Sequence, residues 1–184
     1  LDSDQIAKDV EKGKGAFVGP EIMGKKLGVV GLGAIGVLVA NAAHHLGMEV
    51  IGYDPFISVD AAWSVSKSIK RATDIKEIYE NCDYITFHLP YNKDTASMIN
   101  TQTIAQMKDG VRILNFSRGE LVDSDSMKEA LDDGKVAKYV CDFPSNSLNK
   151  YKNVVCLPHL GASTPEAEDN CAVMAVKQIT DFLE

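Results

Sequence analysis

The sequence has no Cys-x-x-Cys pair and no Cys/His pattern at zinc-site spacing; its four cysteines stand apart at 82, 141, 156 and 171. Each lies in or beside an apolar run, where a free thiol behaves as a small hydrophobe. No metal site is expected, and unpaired thiols fit a reducing, cytoplasmic setting. Long apolar runs are also missing. The longest uncharged stretch, 27–43, is broken by four glycines and Asn41, and it is shorter than the roughly 20 apolar residues that span a bilayer. Residues 1–15 are polar and carry several acids, unlike a secretory leader. No membrane partner is expected. Basic residues are in deficit, 19 Lys and Arg against 26 Asp and Glu, for a net charge of −7. A phosphate-backbone surface needs a clustered excess of base, so no nucleic-acid partner is expected. Blocks of like charge, internal repeats and low-complexity segments are absent as well.

What is present fits one domain over residues 1–184: 45% hydrophobic, 24% charged and 7% aromatic residues, enough for a sizeable core. The chain begins at Leu rather than Met, as a fragment or a processed chain does. Residues 4–12 read as a short polar helix, followed by a Gly/Pro-containing connection to Gly24. Beyond it, short apolar runs alternate with helical patterns. Strands are expected at Leu27–Val30, Glu49–Tyr53, Ile69–Ala72, Tyr84–His88, Val111–Asn115, Val136–Cys141 and Val154–Leu157. Helices are expected at Ala34–Leu46, Asp74–Glu80, Thr101–Met107, Ser124–Asp132 and Pro165–Leu183, the last with Thr164 as N-cap. This alternation predicts an α/β fold, a doubly wound parallel sheet with helices on both faces.

Gly31-Leu32-Gly33-Ala34-Ile35-Gly36 is a G-x-G-x-x-G at the join of the first strand and its helix. The first glycine permits the tight turn, the second lets backbone approach a pyrophosphate, and the third lets helix and strand pack closely. Phosphates then meet free N–H groups at a helix N-terminus. Asp54 ends the second strand, about 20 residues beyond the first glycine, where a carboxylate accepts the adenosine ribose hydroxyls and repels a 2′-phosphate. Together they predict a Rossmann-type domain with NAD as cofactor.

Three clusters follow other strand ends: His88-Leu89-Pro90, Asn115-Phe116-Ser117-Arg118-Gly119 and Pro158-His159-Leu160-Gly161-Ala162-Ser163-Thr164. An Arg can hold a carboxylate through two parallel hydrogen bonds, and a His can carry the hydroxyl proton while hydride moves to or from a nicotinamide. With Gly31–Gly36, Asp54-Pro55 and Met107-Lys108-Asp109-Gly110, these runs resemble the D-2-hydroxyacid dehydrogenase family over essentially the whole chain. The resemblance implies Arg118 as the substrate anchor and His159 as the proton carrier. It places Ala34 and Ile35 on the pyrophosphate turn and Pro90 along the cofactor cleft. Phe116, Ser117 and Asp142 fall near the nicotinamide, Asp142 accepting from its carboxamide, and Gly161 and Ala162 close over the cofactor. It also implies a small-molecule substrate, a phosphorylated 2-hydroxy acid, and a homodimer or higher homo-oligomer. A glyoxylate or other 2-ketoacid reductase is the neighbouring alternative.

Two departures from the family pattern stand out. The pattern places a Glu a few residues after Asp142 to hydrogen-bond the catalytic His, where this chain has Ser147, or Asn146 if aligned on Phe143-Pro144. Neither supplies the negative charge that favours an imidazolium; Glu166 or Asp169 is a candidate substitute. That gap opens another alternative, a non-catalytic NAD-responsive binding protein. The family also builds its substrate domain from segments before and after the nucleotide domain, so residues gripping a substrate phosphate are expected outside 1–184.

Overall fold

The structure is a computed structural model that describes residues 4–183. Helix α1 (Ile6–Gly13) and a 3-10 turn (Lys14–Phe17) lead into β1 (Lys26–Val30), α2 (Ala34–His45), β2 (Glu49–Tyr53), α3 (Val59–Ser64) and β3 (Lys70–Arg71). The chain continues through α4 (Ile75–Asn81), β4 (Tyr84–Phe87), α5 (Thr101–Ala105) and β5 (Val111–Asn115). After a 3-10 turn (Gly119–Leu121) come α6 (Ser124–Asp132), β6 (Val136–Cys141), β7 (Val154–Cys156) and α7 (Pro165–Leu183).

All seven strands form one parallel sheet in the order β3-β2-β1-β4-β5-β6-β7. The expected doubly wound α/β architecture is therefore the observed one. Alternation along each strand splits the interior in two. On β1, Leu27 and Val29 point to one face and join Val37 and Ala40 of α2 and Val50 of β2. Val30 points the other way, into a larger cluster with Ile78 of α4, Ile85 and Phe87 of β4, Ile104 of α5, Ile113 of β5 and Met127 of α6. Helices α2 and α3 thus cover one face and α4, α5 and α6 the other. Because β1 pairs with β2 on one side and β4 on the other, the winding reverses there, and a crevice opens above the carboxyl ends of β1 and β4.

Local chemistry sets the helix starts. Asp74 caps α4 in a capping box with Glu77, and Thr164 Oγ1 accepts from Ala167 N at the start of α7. Two sequence expectations need correction. Helix α3 was not expected; it exposes most of its surface and buries no residue, so it carries no apolar periodicity. Helix α7 forms as expected, but none of its residues is buried. Cys171, on that helix, is therefore exposed rather than part of an apolar interior, whereas Cys82 and Cys141 are buried. No helix among the described residues is long and apolar enough to cross a membrane.

A Cβ built on Gly28 would lie 2.3 Å from Ile78 Cγ2 and 3.0 Å from Cys82 Sγ, so β1 and α4 meet backbone to side chain. Gly28→Ala is expected to lower stability by about 1–3 kcal/mol through overpacking. Denaturant unfolding checks this, and an unchanged midpoint would show that α4 can move outward without cost.

Candidate functional site

Two close contacts and one open space build the glycine turn. Gly31 has φ of 92°, and its N–H donates to Tyr53 O at 2.9 Å. A Cβ on Gly36 would lie 1.9 Å from Gly31 O, so the first turn of α2 rests on the end of β1. Gly33 differs. Its φ is −74° and nothing lies within 4 Å of where its Cβ would stand, so no contact within the chain demands a glycine there. Gly33 is also the N-cap of α2 and offers no side chain to it, which leaves the N–H groups of the first turn open toward the crevice.

Asp54 is braced on the same turn. Its Oδ2 accepts from Leu32 N and its Oδ1 from Phe56 N, both at 2.8 Å. Each carboxylate oxygen keeps a further lone pair for hydroxyl groups. Beside it Leu32, Pro55, Ile57, Val65 and Ile69 line a mainly apolar hollow, with Lys70 and Arg71 on its wall. Most of these walls were missed in the sequence because they come from the segments flanking α3 and from the edge strand. The one local signal is Ser58, which caps α3 by accepting from Ala61 N at 3.1 Å.

A cleft of about 310 Å³ brings together Gly33, Ala34, Ile35, Gly36, His88, Pro90, Phe116, Ser117 and Arg118. The loop after β5 is held from below. Fully buried Asn115 donates through Nδ2 to Arg118 O at 2.8 Å and accepts through Oδ1 from Ser117 N at 3.2 Å. Ser117 Oγ donates to Phe87 O at 2.9 Å. The Arg118 side chain is left exposed, its guanidinium resting on Ser117 O. His88 shares a hydrogen bond with Thr86 Oγ1 at 3.0 Å, and burial pushes its pKa below the usual histidine value, which keeps it neutral.

Asp142 and His159 form a second group at the ends of β6 and β7. His159 Nδ1 lies 3.7 Å from Asp142 Oδ2, and its ring meets the edge of Phe143 at 4.8 Å. Asp142 is 8% exposed, and its Oδ1 is buried with no hydrogen-bond partner among the described residues. The acid beside His159 is thus Asp142; Glu166 and Asp169, on exposed α7, make no ion pair with it among the described contacts. Gly161 and Ala162 lie exposed on the following turn and are not among the residues lining that cleft.

Three features fit a dinucleotide: open N–H groups at a helix N-terminus, the unfilled space at Gly33, and the unpaired oxygen of Asp142. Comparison with known proteins agrees. The sequence model of one family, described as "D-isomer specific 2-hydroxyacid dehydrogenase, NAD binding domain", matches residues 2–161. The chain is 37% identical to the D-3-phosphoglycerate dehydrogenase of Synechocystis sp., over 99% of this chain and 33% of that protein. It is 38% identical to the Bacillus subtilis enzyme of the same name, over 95% of this chain and 34% of that protein. It therefore spans about a third of the length of the curated relatives it matches. Among solved structures, D-lactate dehydrogenase from Aquifex aeolicus, complexed with NAD and lactic acid, superposes with TM-score 0.77 at 26% identity, covering 96% of this chain and 61% of that one. Apo D-mandelate dehydrogenase from Rhodotorula graminis gives TM-score 0.76 at 29% identity, over 90% of this chain and 49% of that one.

Removing the Asn115 staple tests how the Arg118 loop is held. Asn115→Ala is expected to cost about 1–3 kcal/mol, because it leaves buried backbone groups unpaired. Amide hydrogen exchange at 116–118 should accelerate with it, and unchanged protection there would show that the loop is fixed by other contacts.

Proposed function

This chain belongs to the D-isomer specific 2-hydroxyacid dehydrogenase family, and on that premise we propose that residues 1–184 are the NAD-binding domain of a D-3-phosphoglycerate dehydrogenase. The whole enzyme oxidises 3-phospho-D-glycerate to 3-phosphohydroxypyruvate in the formation of L-serine. The observation that carries this choice within the family is the 37% and 38% identity to proteins of that name, over nearly all of this chain. The solved D-lactate and D-mandelate dehydrogenases are more distant, at 26% and 29%.

NAD, when bound, supplies the hydride acceptor. In this reading the open N–H groups of Gly33, Ala34 and Ile35 hold its pyrophosphate, while Gly31 and Gly36 shape the turn that presents them. Asp54 accepts from the adenosine ribose, and the apolar hollow beside it receives the adenine. Pro90, Phe116 and Ser117 wall the cleft toward the nicotinamide, and Asp142 Oδ1 accepts from the carboxamide. Arg118, exposed on a stapled loop, holds the substrate carboxylate through its planar fork and polarises the adjacent carbonyl. His159 takes the hydroxyl proton as general base. Gly161 and Ala162 reach the cofactor only if the turn that carries them moves inward. Residues that grip the substrate phosphate lie outside the chain, and the whole protein is a cytoplasmic homo-oligomer.

The loss of the usual Glu, at Ser147 or Asn146, is the one feature that favours an NAD-responsive binding protein instead. The full-length protein separates the readings. With NAD it is expected to oxidise 3-phospho-D-glycerate, and Arg118→Ala or His159→Gln should each lower kcat/KM by about 10²–10⁴-fold. Turnover of D-lactate or reduction of glyoxylate alone would move the assignment within the family. Saturable NAD binding without turnover of any 2-hydroxy acid would favour the binding protein. Calorimetry on the same protein tests the cofactor reading separately. Asp54→Ala should weaken NAD binding and raise the relative affinity for NADP, since Lys70 and Arg71 already line that hollow.

A further inference from the structure

We propose that Asp142 is the charged positioning partner of His159, so that one carboxylate serves both the imidazole and the cofactor; this rests on the hydroxy-acid chemistry proposed above. The strand ends bring the two together. Cys141 and Cys156 are register partners on β6 and β7, and Leu157 N donates to Cys141 O at 2.9 Å. Asp142 and Leu157 therefore leave the sheet side by side, and His159 follows two residues further on. The Phe143 edge braces the ring at 76°.

Asp142 Oδ2 is 3.7 Å from Nδ1 of His159, within ion-pair reach and longer than a hydrogen bond. Apo contacts of this kind tighten as charge develops. The Asp142 side chain is 10% exposed, against 55% for His159. A carboxylate so placed, with Oδ1 unpaired, is costly unless a positive group comes beside it. The protonated imidazole is that group. With Nδ1 turned to Asp142, Nε2 is left for substrate. In the oxidation, the substrate O–H bond breaks and its proton goes to Nε2. The electron pair of the carbinol C–H leaves with its hydrogen as hydride to NAD, and the carbonyl forms. The positive charge gained by the ring then lies against Asp142.

The neighbouring charges leave this partnership to Asp142. Residues 143–158 carry only Lys150 and Lys152, and 160–165 carry no charge. The loop that packs on Phe143 through Gly119 bears Arg118 and Glu120, both exposed and neither in an ion pair with His159 among the described contacts. Beneath, the Cys156 thiol is pushed up to about 11 by burial and by Cys141, so it is uncharged at working pH.

The test uses the full-length protein with 13C-labelled histidine, the His159 resonance being assigned through His159→Gln. In Asp142→Asn, which keeps shape and removes charge, the titration midpoint of His159 measured without cofactor is expected to lie below the parent's. In Asp142→Glu it should stay close to the parent's. The pH profile for reduction of the keto acid, which needs the protonated ring, should lose its activity at correspondingly lower pH in Asp142→Asn. A His159 midpoint unmoved in Asp142→Asn overturns the proposal. If that variant does not fold, the reciprocal measurement decides. His159 is exposed, so His159→Gln should fold, and the measured Asp142 carboxyl midpoint should then lie above the parent's, coupling being mutual. No change there is equally fatal. Because the resonance titration needs no turnover, a shifted midpoint in a protein that does not oxidise 3-phospho-D-glycerate sinks the substrate assignment and leaves the pair standing.

Discussion

The contact on which the site depends is the approach of α2 to the end of β1, where any side chain at 36 would collide with the Gly31 carbonyl. With that distance open, the helix starts immediately above the strand, and its unpaired N–H groups stand at the edge of the crevice rather than some ångströms behind it. The crevice is itself a product of topology. Only at β1 does the winding reverse, so only there do the loops after β1 and β4 diverge enough to admit a ligand between them. Asp54 locks the turn from the other side through Leu32 N. The same carboxylate that the sequence marks as a ribose acceptor therefore also sets the shape of the phosphate cradle.

Beyond the turn, rigid and free parts are sharply divided. Asn115 is buried and spends its hydrogen bonds on Ser117 and Arg118 backbone, while the Arg118 guanidinium reaches into solvent. A loop fixed at its base with a long side chain at its tip suits a group that must meet a substrate delivered from outside the domain. His159 follows the same scheme with a weaker base. Its loop is anchored by the Leu157–Cys141 hydrogen bond, and the following turn is exposed through Ala162.

Much of this was legible in the sequence, for identifiable reasons. Short runs rich in apolar residues mark the strands, and Glu49–Tyr53 and Val111–Asn115 were bounded to the residue. The G-x-G-x-x-G was legible because Gly31 and Gly36 answer local demands, while Gly33 leaves the helix start open to a ligand. What escaped depends on contacts far apart in sequence. Helix α3 is held by Asn41, which donates to Ser64 O and accepts from Ser66 N, a pairing that no local pattern announces. The partnership of Asp142 with His159 follows from the register of β6 on β7, which cannot be read from either strand alone. Glu166 and Asp169, the acids close to His159 in sequence, stand on the exposed helix instead.

Asn115 ends β5 and Asp142 follows the end of the neighbouring β6, yet the chain treats them oppositely. Every polar atom of Asn115 has a partner within the chain, as buried groups ordinarily do. Asp142 Oδ1 has none among the described residues. Leaving such an atom unpaired costs about 1–3 kcal/mol, and more when it is charged. A protein whose only concern was stability would have an apolar or amide side chain at 142, as it has an amide at 115. A carboxylate there is reasonable only if its partners arrive from outside the domain or become charged during the reaction. A carboxamide N–H would answer the first need and the imidazolium of His159 the second. The residue that looks least satisfied in the isolated domain is, on this view, the one whose surroundings are completed last.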